Sequence, residues 1–231
     1  MAINNKLVPQ QNTVTTVYES NGKEVRLTAD TVRRYLISGN AQAITNEEIE
    51  MFINLCKFNG LNPWLKEAYV IKYGNAPATL VVGKEAYLKR AEMHPQYDGF
   101  EAGVIVHTNE NEITYRVGTV VLQNEKIVGG WAEVFRKDRN HSTRIEVGFM
   151  EFAGFTKEGK LNSQWSTKPA TMIRKVALVN ALREAFPSAF GGMYTAEEQG
   201  YSEEETAPQI DVIEPVEVKT EKVEQADDLP L

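Results

Sequence analysis

The chain has 231 residues, 42% of them hydrophobic and 25% charged, the proportions of a soluble globular protein with one ordinary domain and an appendage. No apolar run approaches the ~18 residues of a membrane span. The first twenty residues lack the basic and apolar regions of a secretory signal. The single cysteine, Cys56, excludes an intramolecular disulfide and a cysteine-rich zinc site, so a cytoplasmic protein is expected. The net charge of −7 is unevenly spread: residues 197–231 hold 12 acidic and two basic side chains, leaving 20 acidic and 23 basic in residues 1–196. That asymmetry fits a nucleic-acid binder with an acidic appendage, and equally a near-neutral domain with a solubilising tail.

Residues 1–27 read as a flexible lead-in. A short helix is expected after Thr28, through Ile37, with Ser38-Gly39-Asn40 as its stop. Thr45-Asn46-Glu47-Glu48 forms a capping box. Ile49, Phe52, Ile53 and Cys56 follow at helical spacing, and Asn59-Gly60 ends that helix. Ala68–Tyr73 and Ala78–Val82 read as a hairpin across a turn at 74–77. A helix over 84–93 is stopped by His94-Pro95. Four β-rich stretches come next, over 100–107, 113–123, 127–136 and 144–149, and their short connections imply antiparallel pairing. A last helix opens at Pro169, a residue suited to the first helical position, and runs to Phe186 before Pro187. Its apolar residues Ile173, Val176, Leu178, Val179, Leu182 and Phe186 spread around the circumference, as in a helix buried on most sides. The expected fold class is α+β, an antiparallel sheet with packed helices over residues 28–196. Residues 197–231, acidic and proline-bearing, read as a disordered tail.

No G-x-x-x-x-G-K-S/T phosphate loop is present, and no histidine or cysteine spacing suits zinc. His94, His107 and His141 are scattered. Asp138 and Glu146 beside a basic run leave open a metal-dependent nuclease. Basic residues mixed with aromatic ones suit single-stranded nucleic acid better, because cations neutralise phosphates while rings stack on unpaired bases. Three places qualify. Lys66 and Lys72 bracket the strand with Tyr69 and Tyr73. Phe135-Arg136-Lys137-Asp138-Arg139-Asn140-His141 is a basic turn. Trp165 and Lys168 lead into the helix with Arg174, Lys175 and Arg183. At ~100° per residue, Lys175 and Arg183 lie about 80° apart on that helix. A cation beside so much buried surface needs a partner, either an internal carboxylate or a phosphate.

Several motifs, in order over roughly residues 45–198, resemble the phage single-strand annealing proteins of the RecT/Bet family. Leu61-Asn62-Pro63-Trp64-Leu65-Lys66-Glu67-Ala68-Tyr69 looks like the family's LNPWxKEIY segment. Val82-Gly83, a helix and then Tyr97-Asp98-Gly99 are similar to the next. Arg136-Lys137-Asp138-Arg139-Asn140-His141 looks identical to the lambda-type RKDRNH run. Trp165 through Arg183 resembles the family's W…KP…MIRKxAxxxALR pattern. Phe186-Pro187 and the stretch from Gly192 to Glu198 close the likeness. Ala170 and Thr171 stand where lambda-like members carry basic residues, a charge that Lys168 and Lys175 would supply instead.

The resemblance implies a non-enzymatic protein without cofactor that binds single-stranded DNA and anneals complementary strands independently of ATP. A passive single-strand binder is the alternative. It also implies a remote strand-annealing recombinase fold, a homo-oligomeric ring or helical filament, an annealed duplex product, a phage exonuclease partner and a bacterial host. The DNA-contacting residues it points to are Lys66, Lys72, Arg136, Lys137, Arg139, Lys157, Trp165, Lys168, Arg174, Lys175 and Arg183. The chain end, with Asp227, Asp228, Leu229, Pro230 and Leu231, resembles the acidic tip of bacterial single-strand binding proteins. Three roles are open for it: docking on host proteins that read such tips, folding back over the protein's own basic groove, and plain solubilisation.

Overall fold

The computed structural model describes residues 15–108, 112–156 and 158–201. It opens on an antiparallel hairpin, Thr16–Ser20 (β1) with Lys23–Leu27 (β2), Ser20 opposite Lys23. Asn21 and Gly22 turn between the strands with φ of 52° and 73°, the left-handed pair that a two-residue type I′ hairpin requires. Tyr18, Val25 and Leu27 enter the core, and the Tyr18 hydroxyl donates to the Leu61 carbonyl at 2.7 Å. The expected lead-in is therefore corrected: residues 16–27 are a packed hairpin, and residues 1–14 lie outside the described residues.

Thr28 caps the helix Ala29–Tyr35 (α1). The helix ends two residues short of the expected Ile37, and the chain leaves as a strand, Ile37–Gly39 (β3), where the stop was expected. This strand pairs parallel to Ala68–Lys72 (β4), which pairs antiparallel to Thr79–Val82 (β5). This sheet is thus mixed, because the crossover carries a helix. That helix, Asn46–Asn59 (α2), forms as its capping box predicts, with reciprocal Thr45–Glu48 bonds and Gly60 in the left-handed conformation at its end. Lys84–Met93 (α3) follows β5.

The second sheet is antiparallel throughout, in the order β7-β6-β8-β9, from Tyr97–Thr108 (β6), Ile113–Val117 (β7), Glu125–Arg136 (β8) and Thr143–Gly148 (β9). The strand expected over 113–123 stops at Val117, where Gly118 takes a φ of 79°. Two short helices, Phe149–Phe152 (α4) and Ser163–Thr167 (α5), lead to the long one, Pro169–Ala185 (α6), and to Pro187–Phe190 (α7). Helix α6 packs on β6, β8 and β9 and against α3, α4, α5 and α7. Met172, Ile173, Val176, Leu178, Val179 and Leu182 are all buried. Each large apolar side chain contributes roughly 1.5–3 kcal/mol on burial, so apolar surface is what holds α6 in place.

A strap formed by residues 193–201 closes the domain. The Tyr194 carbonyl accepts from the Val82 amide at 2.8 Å. Ala196 is buried against Tyr69, Ile71 and Val81, the face of β4 and β5 turned away from the main core, with Tyr201 packed beside them. Glu197–Gln199 forms a 3-10 turn. Residues 197–201 thus belong to the folded body and not to the acidic appendage, and residues 202–231 lie outside the described residues. The architecture is α+β with an antiparallel sheet and packed helices, as expected. No helix among the described residues is long and apolar enough to cross a membrane.

Candidate nucleic-acid interface

The two cations on α6 have internal partners. Lys175 Nζ donates to Glu197 Oε1 at 2.6 Å, with the lysine side chain 11% exposed and the glutamate 0%. Arg183 grips Glu198 with both terminal nitrogens, at 2.6 and 2.7 Å. Its guanidinium lies 4.9 Å from the centre of the Tyr194 ring. Burial alone would lower the basicity of Arg183, but hydrogen bonds to Glu198 and Tyr87 outweigh it and hold the cation well above its ordinary range. Glu198 also accepts from the Thr195 amide at 2.9 Å. Of the two partners open to these cations, this structure supplies the carboxylates, and the strap brings them. Arg174 reaches the other way, donating to the Ala102 carbonyl on β6 at 3.2 Å.

The strand pair with Lys66 and Lys72 divides. Lys72 is 4% exposed and donates to Glu48 at 2.8 Å and to the Ala76 carbonyl at 2.7 Å. The same Glu48 oxygen accepts from the Ala78 amide, so Lys72 ties α2 to the β4–β5 turn. It is an internal cation and not a surface contact. Tyr69 is buried, and Tyr73 lies against Tyr201 with ring centres 6.0 Å apart. Lys66 stands exposed just before β4, in the left-handed conformation with φ 59°.

The basic turn between β8 and β9 divides too. Arg136 pairs with Asp138 at 2.7 Å, donates to the Ala185 carbonyl at the end of α6, and lies over the Phe186 ring at 4.6 Å. A cation at a helix C-terminus offsets the unpaired carbonyls there. The hydrogen bond from Arg136 is the main cause that holds the Asp138 carboxyl below its ordinary range. Lys137 and Arg139 are exposed. Glu146 accepts from Arg144 at 3.1 Å and from Tyr115 at 2.9 Å. The two carboxylates behind the nuclease reading thus pair with different arginines. Among the described residues, no group of three or more His, Cys, Asp or Glu is placed to hold a metal ion.

Trp165 is fully buried, edge-on to Phe149 with ring centres 5.3 Å apart. It anchors the core, which corrects its reading as a stacking ring. Lys168 is exposed at the junction of α5 and α6. Lys157 and the tip from Asp227 to Leu231 lie outside the described residues. Among the described residues singled out from sequence, the exposed cations are therefore Lys66, Lys137, Arg139 and Lys168.

The RecT family model matches residues 22–212. The chain belongs to the RecT family. It is 28% identical over 192 residues to the uncharacterized protein UU154 of Ureaplasma parvum serovar 3, covering 79% of this chain and 78% of that protein. It is 27% identical over 152 residues to the recombination protein bet of Escherichia phage lambda, covering 64% of this chain and 49% of that protein. The RecT-family match opens inside the β1–β2 turn and runs past Glu198, so β2 and the acidic strap both lie within it. Sequence reasoning missed Glu197 and Glu198 because their partners are 22 and 15 residues away, beyond any local pattern. With the strap counted in the body, residues 1–201 hold 22 acidic and 23 basic side chains. Net charge thus carries little of the case for a DNA partner in this RecT-family chain, and local placement of exposed cations carries more.

Proposed function

We propose that this chain binds single-stranded DNA without sequence preference and anneals it to a complementary strand, without ATP and without a catalytic step of its own. The observation that carries the reading is the RecT family match over most of the folded body. Exposed Lys66, Lys137, Arg139 and Lys168 would hold phosphates while bases stay open to pair. In this reading the chain assembles as a homo-oligomer on DNA, in the cytoplasm of a bacterial host. It works on strands that an exonuclease exposes, and the annealed duplex is its product.

The test is a pairing assay with two complementary labelled oligonucleotides, in chelator and without nucleotide. Faster pairing than in buffer alone is the expected result. Binding of single strands without faster pairing would reduce the protein to a passive binder. Strand shortening on adding magnesium would point to the nuclease instead.

A further inference from the structure

Sequence placed the stacking ring of this region at Trp165, and the structure buries it. The segment holds four rings, Phe149, Phe152, Phe155 and Trp165. Three pack into or against the core, while Phe155 remains 46% exposed. Other exposed rings are engaged: Tyr73 with Tyr201, Tyr35 with Trp64, Tyr115 under Arg144 and Tyr194 under Arg183. Phe58 is also exposed, on α2 next to exposed Lys57, while the charges of Lys89 and Arg90 near it are committed to Glu67 and to the Asn59 carbonyl.

Phe155 sits on a small hydrogen-bonded mount. It forms an antiparallel bridge with Leu161, and the Thr156 amide donates to the Lys160 carbonyl at 2.7 Å. The mount is fixed from below by Asn162, whose amide donates to the Gly154 carbonyl at 2.9 Å and whose side chain accepts from the Trp165 amide at 3.0 Å. A Cβ at position 154 would fall 2.5 Å from Asn162 Nδ2 and 3.1 Å from Trp165 Cδ1, so the backbone there lies flat on the buried tryptophan. Lys160 is exposed on the same turn. The one acid on this turn, Glu158, is exposed. Leaving a phenylalanine ring half in water forfeits about half of its burial free energy. A ring so held, on a turn that also carries an exposed lysine, has the chemistry to take an unpaired base on its face and the adjoining phosphate on the cation.

We infer that Phe155 is a nucleobase-stacking residue for single-stranded DNA, with Lys160 on the neighbouring phosphate and the Gly154–Trp165 contact as the positioning element. The inference rests on the single-strand reading proposed above. The test compares binding of an ordinary oligonucleotide and an abasic one of equal length. Phe155→Ala weakens binding to the ordinary strand by about tenfold or more, leaves the abasic strand unchanged and keeps the salt slope. Phe155→Trp retains the preference for the ordinary strand. Lys160→Ala does the converse, lowering the log-log salt slope by about 0.7 while keeping the base preference. Wild-type affinity of Phe155→Ala for the ordinary strand overturns the inference. A wild-type protein that binds no single strand overturns the broader reading with it. Loss of self-assembly in Phe155→Ala without DNA, seen by light scattering, would make the ring a subunit contact and also overturn it.

Discussion

Lys175 and Arg183 on α6 and Lys137 and Arg139 on the β8–β9 turn are the same kind of side chain in opposite situations. The helix pair lies largely buried and meets carboxylates of the strap. The turn pair stands in solvent at the edge of the sheet. The aromatic residues divide the same way: Trp165 is fully buried and Phe155 nearly half exposed. A motif that places cations and rings together therefore contains two populations. One holds the fold, and the other is available to a partner. A buried cation must be matched inside the protein because desolvation is too costly otherwise, whereas an exposed cation pays little and can exchange water for phosphate.

Breaking the inner population should give the largest effects. Trp165→Ala is expected to cost about 3–5 kcal/mol, a fall in melting temperature of about 6–20 degrees, read by thermal denaturation. Next, Arg183→Ala strands the buried Glu198 carboxylate and is expected to cost roughly 3 kcal/mol. The double variant Arg183→Met with Glu198→Gln should recover a good part of that loss. If Arg183→Ala melts like the wild type yet stops annealing, the division between the two pairs is wrong, and α6 presents a phosphate site.

A pH series sharpens the same point at Lys72. The hydrogen bond from Lys72 is the main cause that holds the Glu48 carboxyl below its ordinary value of 4.5, with further help from the Thr45 and Ala78 amides. A carboxyl lowered in the folded state adds stability above its unfolded pKa and loses it as pH falls through the folded one. Lys72→Met should therefore melt well below the wild type at neutral pH, and the gap should narrow on acidification below about pH 4.5. A gap that stays constant would show that the pair contributes packing alone. The smallest effect on the fold is expected at the turn. Lys137→Ala and Arg139→Ala should each change stability by less than about 0.5 kcal/mol while lowering the salt slope of single-strand binding by about 0.7.

Much of this division was hidden in sequence for identifiable reasons. Local signals worked where the physics is local. The Thr45–Glu48 capping box, Gly60 at the end of α2 and Pro169 at the start of α6 all mark element ends as expected. The all-round apolar pattern of α6 announced its burial. The β1–β2 hairpin was missed although Asn21-Gly22 between alternating residues is its signature; the polar composition of the N-terminal stretch masked it. Strand β3 falls where the sequence points to a helix end at Ile37 and a stop at Ser38-Gly39, because its parallel pairing with β4 depends on residues more than thirty positions away. At the candidate interface, the family likeness located the region, but periodicity could not tell which charges face inward. Lys72, Arg136 and Lys175 differ from Lys66 and Lys137 only through partners supplied by distant segments: Glu48, Ala185 and Glu197.

The most direct test of the account is the pairing rate of complementary strands with Lys66→Ala, Lys137→Ala, Arg139→Ala and Lys168→Ala combined, measured beside the wild type together with thermal melting. Four lost phosphate contacts should weaken single-strand binding by about a hundredfold at 0.1 M salt. Annealing should fall accordingly, while the melting temperature stays within about two degrees of the wild type. Wild-type annealing by this folded variant would contradict the claim that the exposed cations carry the strand.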